Sequence, residues 1–265
     1  MLAMAYTIQK YGDIINRLIF RKMENKEEKK TMKTHIYNLV VLDRSGSMSS
    51  LRKAAVDGFN ETLAGIKKAQ ERYAETQDHF ISLVAFCSCS TDKIYDKAPV
   101  AEARPMELKD YQPCCCTPLY DAMGIAISDI QRHVKDIKDA AVSVTIITDG
   151  YENASKEFTR TSIRALVESL KGQGWTFTFM GANQDAVLTA ETLAIRNSAN
   201  FDASQEGVRR AYQRDSRSKD SWFGKLNFSF LQRSMMDDDE RMVMNSLLAD
   251  EAFDETEEDD DNKKS

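Results

Sequence analysis

Nowhere does the sequence gather the roughly 18 to 20 consecutive apolar residues that a helix needs to cross a bilayer, so no membrane-spanning helix is expected. A secretory leader is not expected either: Met1 to Tyr6 is a short apolar patch that runs into Thr7, Gln9 and Lys10. Positive charge is not in surplus. With 36 Lys and Arg against 42 Asp and Glu, the formal charge of -6 speaks against a general nucleic-acid binder, which needs excess Lys and Arg on one face. Gly-Lys-Ser and Gly-Lys-Thr are both absent, which removes the phosphate loop of a nucleoside triphosphatase. Cysteine is scarce: five residues, an odd number with Cys114, Cys115 and Cys116 contiguous, do not read as a disulfide framework. A reducing, cytoplasmic setting fits that usage.

What is present fills one sizeable core, since 42% of the 265 residues are hydrophobic. Residues 1–33 begin with a helix-compatible pattern (Ile8, Tyr11, Ile14, Ile15, Leu18) and end in a charged run. They read as a flexible N-terminal extension, because so polar a stretch buries too little apolar surface to offset its ordering entropy. Met32 is an alternative start. Residues 34–220 read as the folded domain. From Ser221 the pattern loosens into a C-terminal extension, with Trp222, Phe223, Phe228 and Phe230 expected to pack on the domain and an acidic tail expected to solubilise it.

Within 34–220, apolar runs alternate with amphipathic stretches. Ile36 to Leu42 is nearly continuous and ends at Asp43, as a strand buried on both faces does. Leu51, Ala55, Phe59, Leu63 and Ile66 recur at helical spacing, predicting a helix from about Ser50 to Tyr73. Strands follow at Phe80 to Phe86, Ala141 to Thr148, Trp175 to Met180 and near Asn200. Helices follow at Pro118 to Val134, Thr161 to Leu170, Asp185 to Ile195 and Ser204 to Arg214. Such alternation implies an α/β fold: three αβα layers around a mostly parallel sheet of about six strands, because right-handed crossovers place helices on both faces.

In open α/β sheets ligands bind beyond the carboxyl ends of the strands. Two predicted strands end in aspartate there. One runs into Asp43-Arg44-Ser45-Gly46-Ser47-Met48, which sets a carboxylate and two hydroxyls on one loop, and the other ends at Asp149-Gly150. Between them, Thr117 adds a hydroxyl on a loop that opens a helix. Mg²⁺ takes oxygen ligands in near-octahedral geometry and retains waters, so two carboxylates and three hydroxyls suit it. Neutral hydroxyls in place of further carboxylates leave the ion electron-poor and receptive to an acidic side chain from elsewhere. That is a recognition design.

At these residues the sequence resembles the von Willebrand factor type A family, whose metal-ion-dependent adhesion site joins an Asp-x-Ser-x-Ser loop to a distant Thr and a distant Asp. The stretches Thr117 to Ala122, Thr148 to Asn153 and Gly181 to Asp185 resemble stand-alone microbial members. The resemblance spans about residues 34–215 and implies a Rossmann-like fold and a non-enzymatic, cation-dependent protein-binding module. It implies that Ser45, Ser47 and Thr117 contact the metal, and that Asp43 and Asp149 hold it directly or through water. The implied ion is Mg²⁺, with Mn²⁺ or Ca²⁺ as alternatives. The implied partner is a protein presenting Asp or Glu, around whose carboxylate Arg44, Met48, Cys116 and Tyr151 form a rim. An ATPase or kinase partner is implied by the resemblance only. One departure stands out: family members commonly carry glycine before the metal-site threonine, where this chain has three cysteines.

Other chemistries are weaker in the sequence. Cys87-Ser88-Cys89 with Cys114 to Cys116 invites structural zinc or redox readings, because thiolates bind Zn²⁺ strongly. Three adjacent cysteines do not easily face one ion and no Cys-x-x-Cys exists, so small buried or loop residues are expected instead. A Mg²⁺-dependent phosphoryl-transfer enzyme of the haloacid-dehalogenase type needs a second Asp where Ser45 stands, so it lacks an obvious general acid. His35, His79 and His133 are scattered and suggest no catalytic triad.

Overall fold

The computed structural model describes residues 33–182 and 186–233, with side chains described as far as Asn227. Expectations for residues 1–32, Asn183 to Asp185 and the acidic tail lie outside the described residues, as do those for the side chains of Phe228 and Phe230. Six strands form one sheet: β1 Thr34–Asp43, β2 Gln77–Cys87, β3 Ser90–Pro99, β4 Ala140–Thr148, β5 Thr176–Ala182 and β6 Asn197–Phe201. Their order is β3-β2-β1-β4-β5-β6, parallel throughout except for β3, which runs antiparallel to β2. The three-layer α/β architecture expected from the alternating pattern is therefore present.

Five helices cover the sheet: α1 Arg52–Arg72, α2 Leu119–Val134, α3 Arg160–Lys171, α4 Ala186–Thr192 and α5 Gln205–Arg233. The apolar stripe of α1 (Phe59, Leu63, Ile66) meets Tyr212, Trp222 and Phe223 of α5 and the odd face of β2 in one core. Helices α2, α3 and α4 pack on the other face, where Leu119, Ile127, Ile163 and Val167 meet Val41, Val144 and Phe179. Gly58 lets α1 and α5 approach closely, because a Cβ there would lie 2.2 Å from the Tyr212 ring.

Two elements differ from the sequence expectation. Strand β3 was not foreseen, because Ser90-Thr91-Asp92-Lys93-Ile94-Tyr95-Asp96-Lys97 is too charged to read as a buried strand. It is an edge strand, where charge and irregular pairing guard against further association. Helix α5 does not end near Arg214 and crosses the expected 220/221 boundary. Burial of Trp222, Phe223 and Leu226, worth roughly 1.5 to 3 kcal/mol each, holds that extra length on the domain.

One charged pair sits inside the fold. Lys219 of α5 bonds Asp215 one turn earlier and donates to Thr145 Oγ1 of β4 at 2.6 Å, with both charged side chains buried.

Candidate metal centre

The strand order places β1 and β4 side by side at the middle of the sheet, with the flanking strands added in opposite directions. A crevice beyond the carboxyl ends is expected at such a switch in strand order. Asp43 ends β1 there, and Asp149 follows directly on β4.

Asp43 is fully buried and held from three directions. Its Oδ1 accepts the Ser45 backbone N–H at 2.7 Å, its Oδ2 accepts Thr148 Oγ1 at 2.6 Å, and its own carbonyl accepts the Tyr111 hydroxyl. Ser45 and Ser47 face each other with hydroxyls 3.0 Å apart, and Ser47 Oγ donates to Asp149 Oδ1 at 2.6 Å. Gly150 completes the cradle. A Cβ at that position would lie 3.2 Å from Thr117 Oγ1, 3.6 Å from Ser47 Oγ and 3.8 Å from Asp43 Oδ2. Oxygens from two separate parts of the chain thus meet Gly150, from a third, around one small space that a side chain would fill.

Two loops position Thr117. Its N–H donates to Asn153 Oδ1 at 2.8 Å, and its carbonyl accepts the Asn153 N–H at 3.1 Å. Glu152 accepts the N–H groups of Tyr120, Ala154 and Ser155, while Asp121 accepts those of Lys156, Glu157 and Phe158. Each carboxylate therefore ties the start of α2 to the loop after β4. These anchors, with Thr148 and Tyr111, are the functional residues that composition and spacing missed. Asp121, Thr148, Glu152 and Asn153 lie in the stretches that carry the family resemblance, and Tyr111 lies outside them.

The electrostatics suit a cation. Burial pushes the Asp43 carboxyl up to about 6 despite the hydrogen bonds from Thr148 and Ser45, and burial also raises Asp149. Neither carboxylate has a basic partner among the described residues. Two desolvated carboxylates beside three hydroxyls form an all-oxygen donor set, so the residues fit a hard divalent ion.

No family model matches the sequence, and no curated protein matches it. Among solved structures, a von Willebrand factor type A protein from Catenulispora acidiphila aligns with a TM-score of 0.51 and 14% identity over 72% of this chain and 44% of that one. The pilus adhesin SpaC from Lactobacillus rhamnosus GG gives a TM-score of 0.53 and 14% identity over 73% of this chain and 31% of the adhesin. This chain has the von Willebrand factor type A fold. It spans less than half the length of either relative.

On this von Willebrand factor type A fold the four expected rim residues separate. Tyr151 is 61% exposed and Cys116 is exposed beside Thr117, so both border the cradle from outside. Met48 does not: Gly46–Leu51 forms a 3-10 turn that rotates its side chain into the core, where it is fully buried. Arg44 is also turned away. Its guanidinium pairs with Asp92 Oδ2 at 2.6 Å and bonds Ser90 Oγ on the unforeseen strand β3. The rim expectation is corrected for these two, because one answers to the apolar core and the other to an edge carboxylate.

The cysteines also differ from expectation. Cys89 and Cys115 are disulfide-bonded, and Cys87 Sγ lies 3.0 Å from Cys114 Sγ. The chain reversal between β2 and β3 carries one pair of sulfurs towards the 114–116 loop. Only Cys116 stands apart from this group. Sequence spacing hid the convergence because it depends on a loop-to-loop pairing, in which Ser88 N donates to Cys116 O and Cys116 N donates to Ser88 Oγ.

Proposed function

We propose that the chain is a divalent-cation-dependent protein-binding module rather than an enzyme. Asp43, Ser45, Ser47, Thr117 and Asp149 would hold the ion, with Mg²⁺ as its most natural occupant and Mn²⁺ or Ca²⁺ as substitutes. Bound there, the ion would supply a Lewis-acidic charge that attracts a carboxylate. The chain's own residues do the rest. Thr148 and the Ser45 N–H orient Asp43, Asn153 fixes Thr117, and Gly150 keeps the cradle open. The observation that carries this reading is the convergence of Thr117, Ser47 and Asp43 oxygens around the space beside Gly150.

The partner in this reading is a protein that presents Asp or Glu, because two carboxylates no more than balance a divalent ion whose remaining positions are weakly donating hydroxyls and water, and an incoming carboxylate can displace a water. Exposed Tyr151 and Cys116 would contact that partner beside its acid. The cytoplasmic location expected from the odd number of cysteines stands against the Cys89–Cys115 disulfide, since such bonds are rare in a reducing compartment. Affinity capture from native lysate, run with Mg²⁺ and with chelator, tests the proposal. A partner that binds in Mg²⁺ and is lost both with chelator and with Asp43→Ala supports it. Equal recovery in all samples contradicts it.

A further inference from the structure

Four sulfurs meet beside the oxygen cradle and take no part in it. Cys87 ends β2, Cys89 lies in the turn to β3, and Cys114 and Cys115 come from the loop before Thr117. The Sγ atoms of Cys87, Cys89 and Cys114 all lie within 4.8 Å of one another, and that of Cys115 is bonded to Cys89. A tetrahedral Zn²⁺ with Zn–S bonds of about 2.3 Å separates its sulfurs by about 3.8 Å. The 3.0 Å between Cys87 and Cys114 and the 4.8 Å limit bracket that edge.

Two further features favour thiolates here. Arg44 Nη2 approaches the Cys87 sulfur at 3.7 Å, and Cys87 pairs with Ser90 in the β2–β3 register, which holds the turn's backbone close to it. A cation aimed at sulfur offsets the negative charge of a thiolate cluster, the role that outer hydrogen bonds play around metal ligands. The backbone of Cys115 adds a third feature. Its φ of 58° lies in the left-handed region that favours glycine, so a residue with a side chain there is strained. A position shaped for glycine that carries cysteine points to a use for the sulfur.

We propose that Cys87, Cys89, Cys114 and Cys115, in their reduced state, bind one Zn²⁺ as a tetrathiolate site separate from the oxygen site. A dithiol reductant opens the Cys89–Cys115 bond: two electrons and two protons pass to these sulfurs, and the dithiol closes to its own disulfide. Zinc binding then displaces the four thiol protons to solvent. The bound ion links the β2–β3 turn to the loop that carries Thr117. That loop is already braced against the Asp43–Ser47 segment, since Gly46 N donates to Cys115 O at 3.0 Å and Cys114 N donates to Arg44 O at 2.9 Å.

The test is metal analysis of the full chain purified in reductant without chelator and supplied with zinc alone. One zinc per chain is expected. Replacement by Co²⁺ is expected to give the absorption of tetrahedral thiolate coordination. Zinc is expected to be lost in Cys87→Ser and in Cys114→Ser and kept in Cys116→Ser. Asp43→Ala, which strikes only the oxygen site, is expected to retain it. Because a cysteine variant could fail to fold, the unmodified chain is also alkylated at lysis and mapped by mass spectrometry. Slow alkylation of these four sulfurs that becomes fast once zinc is chelated supports the site. Absence of zinc with two disulfides, zinc-independent alkylation, or zinc that disappears with Asp43→Ala overturns it.

Discussion

Strand β4 serves two buried aspartates on opposite faces, and they are treated in opposite ways. Thr145 faces α5 and meets Asp215, whose charge is matched by Lys219. Thr148, three residues on, meets Asp43, which has Asp149 nearby and no basic partner among the described residues. Both aspartates are almost inaccessible. A buried charge is tolerated when paired, and an unpaired one raises the free energy of the fold until something neutralises it. The first arrangement is complete within the chain. The second is complete only with a proton or a cation, which is why we read it as a candidate binding site and the other as a structural tie.

The largest effect expected from this contrast is at Lys219. Lys219→Met strands Asp215 as an uncompensated buried charge, and denaturant titration is expected to show a loss of about 3 to 5 kcal/mol. Adding Asp215→Leu should recover most of it. If the single variant costs nothing, Asp215 does not need its partner and the contrast fails.

A buried base extends the comparison to pH. Burial pushes His79 down to about 4, although Asp78 opposes this. Gln77 Nε2 is engaged with the Phe223 carbonyl, so Gln77 Oε1 accepts the His79 Nε2 proton and Nδ1 is left buried without a partner. Between pH about 6.5 and about 4 the unfolded chain binds more protons than the folded one. Stability from this group is therefore present above pH 6.5 and lost as pH falls towards 4, by at most about 3 kcal/mol. His79→Gln should flatten that part of the pH profile, and an unchanged slope would assign it to other groups.

Smaller changes address the cradle. Gly150→Ala puts a methyl 3.2 Å from Thr117 Oγ1, and a 10- to 100-fold weaker Mg²⁺ affinity is expected by calorimetry, the range seen when groups around a metal shell are disturbed. The smallest expected effect is the most diagnostic. Asp43→Asn removes a buried charge that lacks a cation, so unfolding without added ion should stay within about 1 kcal/mol of the parent or rise. A loss like that of Lys219→Met would mean that Asp43 is structural.

The parallel strands were legible because residues buried on both faces leave an unbroken apolar run, as in Ile36 to Leu42. The helices were legible where one stripe faces the sheet, as with Phe59, Leu63 and Ile66. Strand β3 was hidden because an edge strand satisfies its backbone without apolar side chains. The length of α5 was hidden because Lys219 and Asp215 make its buried side read as polar. Strand ends drew attention to Asp43 and Asp149, and the resemblance joined Thr117 to them. No spacing rule revealed that Met48 turns inward, since a 3-10 turn and an α-helical turn differ by a rotation that the sequence of Gly46–Leu51 does not display. The meeting of Cys87 with Cys114 rests on hydrogen bonds between two loops, Ser88 with Cys116 and Cys114 with Arg44, which no sequence period displays.

In the proposed function the Asp43 and Asp149 carboxylates share a cation with the hydroxyls of Ser45, Ser47 and Thr117. Titrating the full chain with Mn²⁺ while following its paramagnetic resonance measures this directly. Saturation at one ion per chain, competed by Mg²⁺ and strongly weakened by Asp43→Asn and by Thr117→Val, is the predicted result. Binding that is absent, or that is indifferent to both substitutions, would contradict it.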